Sequence, residues 1–78
     1  MERSSSIARR IRAFRKLKGL TQLELAEKVN ISIAVIGSIE RGTRKPDERI
    51  LSRIAEALDV SLEELTGTEA QNLIQRPH

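Results

Sequence analysis

"TQLELAEKVNISIAVIGSIERG", residues Thr21 to Gly42, decides the fold. Thr21 reads as a helix N-cap, and Glu24 three residues on completes a capping box. Two amides that a helix start leaves unpaired are then satisfied reciprocally. Leu25, Ala26 and Val29 follow at helical spacing and make an apolar stripe. Asn30 ends this helix, because asparagine tolerates the left-handed backbone that a tight interhelical turn needs. Ser32 caps a second helix, short and rich in β-branched residues, with Ile36 and Ile39 inward.

A join this short is either a plain helical hairpin or a helix-turn-helix. The second fits better. Ala26 stands where the helices approach closely, and a larger side chain would push them apart. Leu25, Val29, Ile31, Ile36 and Ile39 supply apolar contacts for a steep crossing. The outer face of the second helix is left free.

Working outward, Ile7, Ile11, Phe14 and Leu17 recur at three- or four-residue spacing and predict an earlier helix from Ser6, with Arg and Lys on its other face. Gly19 closes it. Residues 1–5 read as a flexible arm. Downstream, "RGTRKPD" (Arg41–Asp47) breaks helicity with Gly42 and Pro46. A fourth helix follows from about Asp47 to Leu58, with Ile50, Leu51, Ile54 and Leu58 inward. Asp59 and Val60 turn the chain. Ser61 with Glu64 is a second capping box, opening a short helix that carries Leu62 and Leu65. Gly67 ends the compact part, and residues 68–78 read as a frayed tail with a weak apolar pair, Leu73 and Ile74. There is no period-2 alternation, no hairpin dipeptide and no internal repeat. The expectation is an all-α domain of five short helices over residues 6–67.

Composition narrows the function classes. At 78 residues the chain is near the lower limit for a single unstapled core. It has no cysteine, hence no disulfide framework and no zinc-finger spacing. The longest apolar run, Ile33–Ile36, is too short for a membrane span, and there is no signal-peptide pattern; cytoplasmic residence is expected. One phenylalanine and no Trp or Tyr argue against stacking of unpaired bases. Charge is strongly polarised. Residues 1–18 carry seven Arg and Lys against one Glu, and residues 41–53 five against two acids. Residues 54–78 carry one Arg against five acids. A polyanion would meet the basic side while the acidic side faces away. His78, the only histidine, is the last residue, so neither a histidine triad nor a zinc site is available. The glycines are scattered, so no loop cradles a phosphate. Glu63 and Glu64 fit the charge preference of a helix start. The chain is not expected to be an enzyme, to hold a metal or cofactor, or to contain a small-molecule ligand domain.

"LKGLTQLELAEKVNIS", "IGSIERGTRKP" and "LSRIAEALDVSLEELTG" together resemble the phage-repressor and Cro type of helix-turn-helix domain, which includes the xenobiotic-response-element regulators. The resemblance covers Ile7 to Gly67. It rests on linked spacings: Thr21-Gln22, Leu25-Ala26, Ile36, Glu40-Arg41-Gly42, Pro46, and Ala55-x-Ala57-Leu58. It implies a five-helix, lambda-repressor-like DNA-binding domain. It also implies a transcriptional regulator, a repressor binding as a homodimer on a near-palindromic operator of double-stranded DNA. By the same resemblance Gln22 holds a phosphate, Ile33, Ala34 and Ser38 read bases, and Thr43, Arg44 and Lys45 meet the phosphate backbone. Arg15 and Glu40 match a buried ion pair.

Stepping by ~100° per residue with Ile36 and Ile39 inward puts Ala34 and Arg41 furthest out, then Gly37 and Ser38, with Ile33 on the flank. The exposed face is small and smooth. Deep entry into a major groove would let Ile33 and Ala34 touch thymine methyls and Ser38 make one adaptable hydrogen bond. Alternatively, Gln22, Arg41, Arg44 and Lys45 on phosphates supply the affinity without sequence readout. A third reading makes the Ile33–Ala34 face a docking surface for a regulatory protein partner, as in an adaptor or antitoxin-like module. The intact phosphate-binding positions favour the first.

Overall fold

Five helices follow one another along the chain in the computed structural model, which describes residues 3–67, with side chains from Ser6 onward. They are α1 (Arg3–Leu17), α2 (Gln22–Val29), α3 (Ile33–Arg41), α4 (Glu48–Leu58) and α5 (Leu62–Thr66). Among the described residues there is no strand. The all-α, five-helix expectation holds. The frayed tail expected over 68–78 lies outside the described residues.

Capping sets the boundaries. Thr21 Oγ1 accepts from the Glu24 amide at 3.0 Å while Glu24 Oε1 accepts from the Thr21 amide at 2.8 Å. Ser61 and Glu64 repeat the box at 3.0 Å each way. Ser32 caps α3 through the Val35 amide at 3.1 Å. Asp47 caps α4 through the Ile50 amide at 2.8 Å. Asn30 does adopt the left-handed conformation, at φ 67°, ψ 43°.

The core is a layer of fully buried aliphatic side chains. Ile11 from α1, Leu25 from α2, Ile36 from α3, Ile54 and Leu58 from α4 and Leu65 from α5 are each 0% exposed. Burying one such side chain stabilises the fold by about 1.5–3 kcal/mol. α1 packs against α3, α4 and α5, while α2 packs against α3 and α4. Ala26, 2% exposed, sits in the core between its neighbours.

Three expectations need correction. First, α1 begins at Arg3, inside the stretch expected as an arm over residues 1–5. Once a helix is nucleated on the core, each added residue extends it at little cost. Second, Leu17 was expected inward and is 76% exposed. The buried stripe of α1 is Ala8, Ile11 and Arg15, with Ile7 and Phe14 half-buried on its flank. Leu17 lies on the far side of that flank. Counting apolar residues alone misplaces the stripe, because its last member is an arginine. Third, a short internal repeat exists. "LAEKVNIS" (25–32) and "IAEALDVS" (54–61) share one pattern and one geometry. Asp59 closes α4 at φ 60°, ψ 44°, almost the Asn30 conformation.

Candidate nucleic-acid interface

A buried ion-pair network fixes where α3 sits. Arg15 Nε donates to Glu40 Oε2 at 2.6 Å and Nη2 to Glu40 Oε1 at 3.1 Å. Arg15 Nη1 donates to the Leu20 carbonyl at 2.7 Å. The two side chains are only 10% and 3% exposed. Every guanidinium nitrogen is therefore engaged, and the fork geometry suits a carboxylate. One arginine ties together α1, the α1–α2 turn and α3. Burying two charges is costly, and full hydrogen bonding offsets that cost.

Gln22 joins the same network. Its Nε2 donates to Glu40 Oε1 at 3.1 Å. The side chain expected to hold a phosphate thus has its amide nitrogen turned inward. The carboxylate of Glu40 accepts from both Arg15 and Gln22.

The outer face of α3 differs from the smooth surface expected. Ile33, 45% exposed, and Ala34 do face solvent. Ser38 is half-buried; its hydroxyl donates to the Ala34 carbonyl at 3.0 Å and accepts from Arg41 Nη2 at 3.4 Å. Gly37, expected exposed, is buried. The reason is Arg41. Its guanidinium folds back along the helix, and Nη1 lies 3.2 Å from the point where a Cβ on Gly37 would stand. Helical side chains lean toward the N-terminus, so a residue one turn on covers this spot.

Beyond α3 the loop is held internally. Gly42 takes the left-handed conformation at φ 81°. The Ser38 carbonyl accepts from the Thr43 amide at 3.0 Å, the Thr43 hydroxyl at 3.1 Å and the Arg44 amide at 3.3 Å. Thr43, expected at a phosphate, therefore has both donors engaged in shaping the loop. The side chains of Arg44 and Lys45 are exposed.

Arg12, Arg41 and Gln22 line a cleft of about 210 Å³ whose floor is Arg15 and Glu40. Arg12 belongs to the basic cluster on α1. Its sequence signal is the spacing to Arg15: three residues on one helix bring the two to one side. Arg10, from the same cluster, points elsewhere. Its Nη1 reaches the Glu64 carbonyl of α5 at 3.4 Å. Arg12 and the start of α2 thus form a basic rim beside the α3 face over which Arg41 lies. Such a rim can receive anionic oxygens.

Known proteins resemble this chain over most of its length. The family model described as Helix-turn-helix matches residues 11–65. The HTH-type transcriptional regulator YazB of Bacillus subtilis is 49% identical over 61 residues, covering 78% of this chain and 88% of that protein. The immunity repressor protein of Bacillus phage phi105 is 38% identical over 64 residues, covering 82% of this chain but 44% of that protein. Among solved structures, the restriction-modification controller protein C.AhdI of Aeromonas hydrophila superposes with a TM-score of 0.77 at 32% identity. That match covers 80% of this chain and 94% of the other.

Proposed function

Because the chain belongs to the helix-turn-helix family, one of transcriptional regulators and repressors rather than of enzymes, we propose that it binds double-stranded DNA as a homodimeric repressor with α3 in the major groove. The observation that carries this reading is the placement of exposed cations around a slim helix. Arg12 and Arg41 meet at the cleft beside α3, Arg44 and Lys45 are exposed in the loop that follows it, and the acidic residues Glu63 and Glu64 lie on α5. Two α3 helices in a dimer would lie about one helical turn of DNA apart, roughly 34 Å. In this reading its place of action is the cytoplasm.

In this reading Arg44 and Lys45 neutralise phosphates and release counterions, which supplies most of the affinity. The backbone amides at the start of α2 receive another phosphate, with the Gln22 side chain bracing them through Glu40. Ile33 and Ala34 touch thymine methyls. Ser38 positions its neighbours, since its proton is on the Ala34 carbonyl. The protein-docking alternative has less support: an apolar patch of Ile33 and Ala34 alone is too small for a stable partner interface.

Fluorescence anisotropy of a labelled duplex from upstream of the protein's own gene, titrated from about 50 to 200 mM salt, tests the reading. Tight, salt-dependent binding is expected. Arg44→Ala with Lys45→Ala is expected to weaken binding to all duplexes and lower the salt slope by about two. Binding unchanged in that variant removes the phosphate role. No binding by the parent chain to its own upstream duplex or to genomic fragments overturns the proposal.

A further inference from the structure

One long side chain lies across an otherwise bare helix face. Gly37 has no side chain, Ala34 has a methyl, and Ser38 has its hydroxyl proton on a backbone carbonyl. Over Gly37 and beside Ser38 lies the guanidinium of Arg41. We propose that Arg41 is the principal sequence-reading residue of this chain, recognising one guanine per half-site through its O6 and N7. The proposal rests on the DNA-binding reading above. It replaces the phosphate role that the outward position of Arg41 first suggested.

Direction comes first. Phosphates line the rims of a groove, where Arg44 and Lys45 stand in the loop after α3. Arg41 instead runs back to the middle of the helix face, between Gly37 and Ser38. That is the part of α3 that enters deepest.

Availability comes second. Glu40, its neighbour in sequence, is held by Arg15 and Gln22. The sole salt bridge among the described residues is that of Arg15 with Glu40. The contact from Arg41 to Ser38 is long, at 3.4 Å. Leaving it costs little, and the full charge and five donors remain for an outside partner.

Chemistry comes third. Guanine alone presents two acceptors side by side in the major groove, and the planar guanidinium fork matches them. Gly37 is what lets that fork lie flat. A methyl there would approach Nη1 to 3.2 Å, so the fork would have to lift by a few tenths of an ångström.

The test begins with a pool of randomised duplexes, selected in parallel by the parent chain, Arg41→Gln and Gly37→Ala. Circular dichroism confirms that each variant is folded. Sites recovered by the parent chain are expected to carry an invariant G·C pair in each half-site. Arg41→Gln is expected to lose that preference and keep the others. Gly37→Ala, which leaves every charge in place, is expected to blunt it with the salt slope unchanged.

The recovered site is then made with 7-deazaguanine at that position, which removes the N7 acceptor. Binding by the parent chain is expected to fall about tenfold, within the range for one good bidentate contact. Binding by Arg41→Ala is expected not to respond. If Arg41→Ala instead weakens all duplexes equally, lowers the salt slope by about one and leaves the consensus intact, the residue is a phosphate contact and the proposal fails. A parent chain that binds duplexes with no guanine preference also defeats it while leaving the DNA-binding reading in place. A parent chain that binds no duplex defeats both.

Discussion

The joints at residues 25–32 and 54–61 are two copies of one device with different attachments. Each ends a helix on a left-handed polar residue, Asn30 or Asp59, and follows it with an aliphatic residue, Ile31 or Val60. Each then starts the next helix on a serine cap. The amide of Ile31 returns to the Ala26 carbonyl at 3.1 Å, and that of Val60 to the Ala55 carbonyl at 3.0 Å. Beyond the joint the copies part. α3 runs nine residues and ends in Arg41; α5 runs five residues with Glu63 and Glu64 in its first turn. The turn geometry is thus a generic way to cross two helices. In the proposed reading α3 is the copy that meets DNA, on the strength of the charge around it, the small side chains on its face and the clamp behind it.

That clamp is the sharpest place to break the comparison. Arg15→Ala leaves Glu40 buried with its main partner gone, and such losses cost about 3–5 kcal/mol. In a domain this small the melting temperature is expected to fall by about 12 °C or more, measured by circular dichroism. A fall of only a few degrees would mean that packing, and not the ion pair, holds α3 in place. α5 has no buried ion pair behind it among the described residues.

Ala26→Leu and Ala55→Leu test whether the two joints are packed alike. Both alanines are buried, at 2% and 4% exposure, one turn before their cap. Each substitution is expected to cost about 1–3 kcal/mol by overpacking. Denaturant titration compares them. A much larger loss at Ala26 would show that the α2–α3 crossing is the tighter of the two; equal losses would make the copies equivalent in packing as well as in backbone.

Much of this arrangement is legible in the sequence, for identifiable reasons. Thr21 with Glu24 and Ser61 with Glu64 are local signals, and local hydrogen bonds realise them. Asn30 is legible because few residues tolerate its backbone conformation. The helical stripes of α2 and α4 are legible because their inward positions are uniformly apolar. α1 is not, since Arg15 occupies an inward position and hides the true stripe; only the family resemblance located its partner Glu40. The cover over Gly37 escaped because a helical wheel places Cβ atoms and not the ends of long side chains. Arg41 starts outward and finishes four residues back. Arg10 escaped for a different reason: its contact lies 54 residues away.

The left-handed residues give a smaller effect. Asn30→Ala and Asp59→Ala put a Cβ without a local hydrogen-bonding side chain at positive φ, and each is expected to cost about 1 kcal/mol. Asn30→Gly and Asp59→Gly are expected to be near neutral, because glycine adopts this conformation freely. Matching losses at the two sites in urea titrations would establish the joints as one device energetically. A loss confined to Asn30 would make the second joint a backbone imitation held by its surroundings.

The smallest effect concerns what stands behind α5. Arg10 packs over Gly67, whose φ is +83°, and a Cβ there would fall 2.9 Å from Arg10 Nε. Gly67→Ala therefore meets two obstacles, a strained backbone and a side chain in the way. Arg10→Ala removes only the second, together with a 3.4 Å contact to the Glu64 carbonyl. Alone it is expected to cost under about 1 kcal/mol, as part-exposed contacts of this kind do. The double variant is then expected to be less destabilised than the two singles added together, by about 0.5 kcal/mol. Simple additivity would mean that Arg10 swings aside freely and that α5 has no clamp of its own. A measurable coupling would give α5 a weak counterpart of the Arg15 clamp, built from a long side chain over a glycine, as Arg41 over Gly37 is on α3.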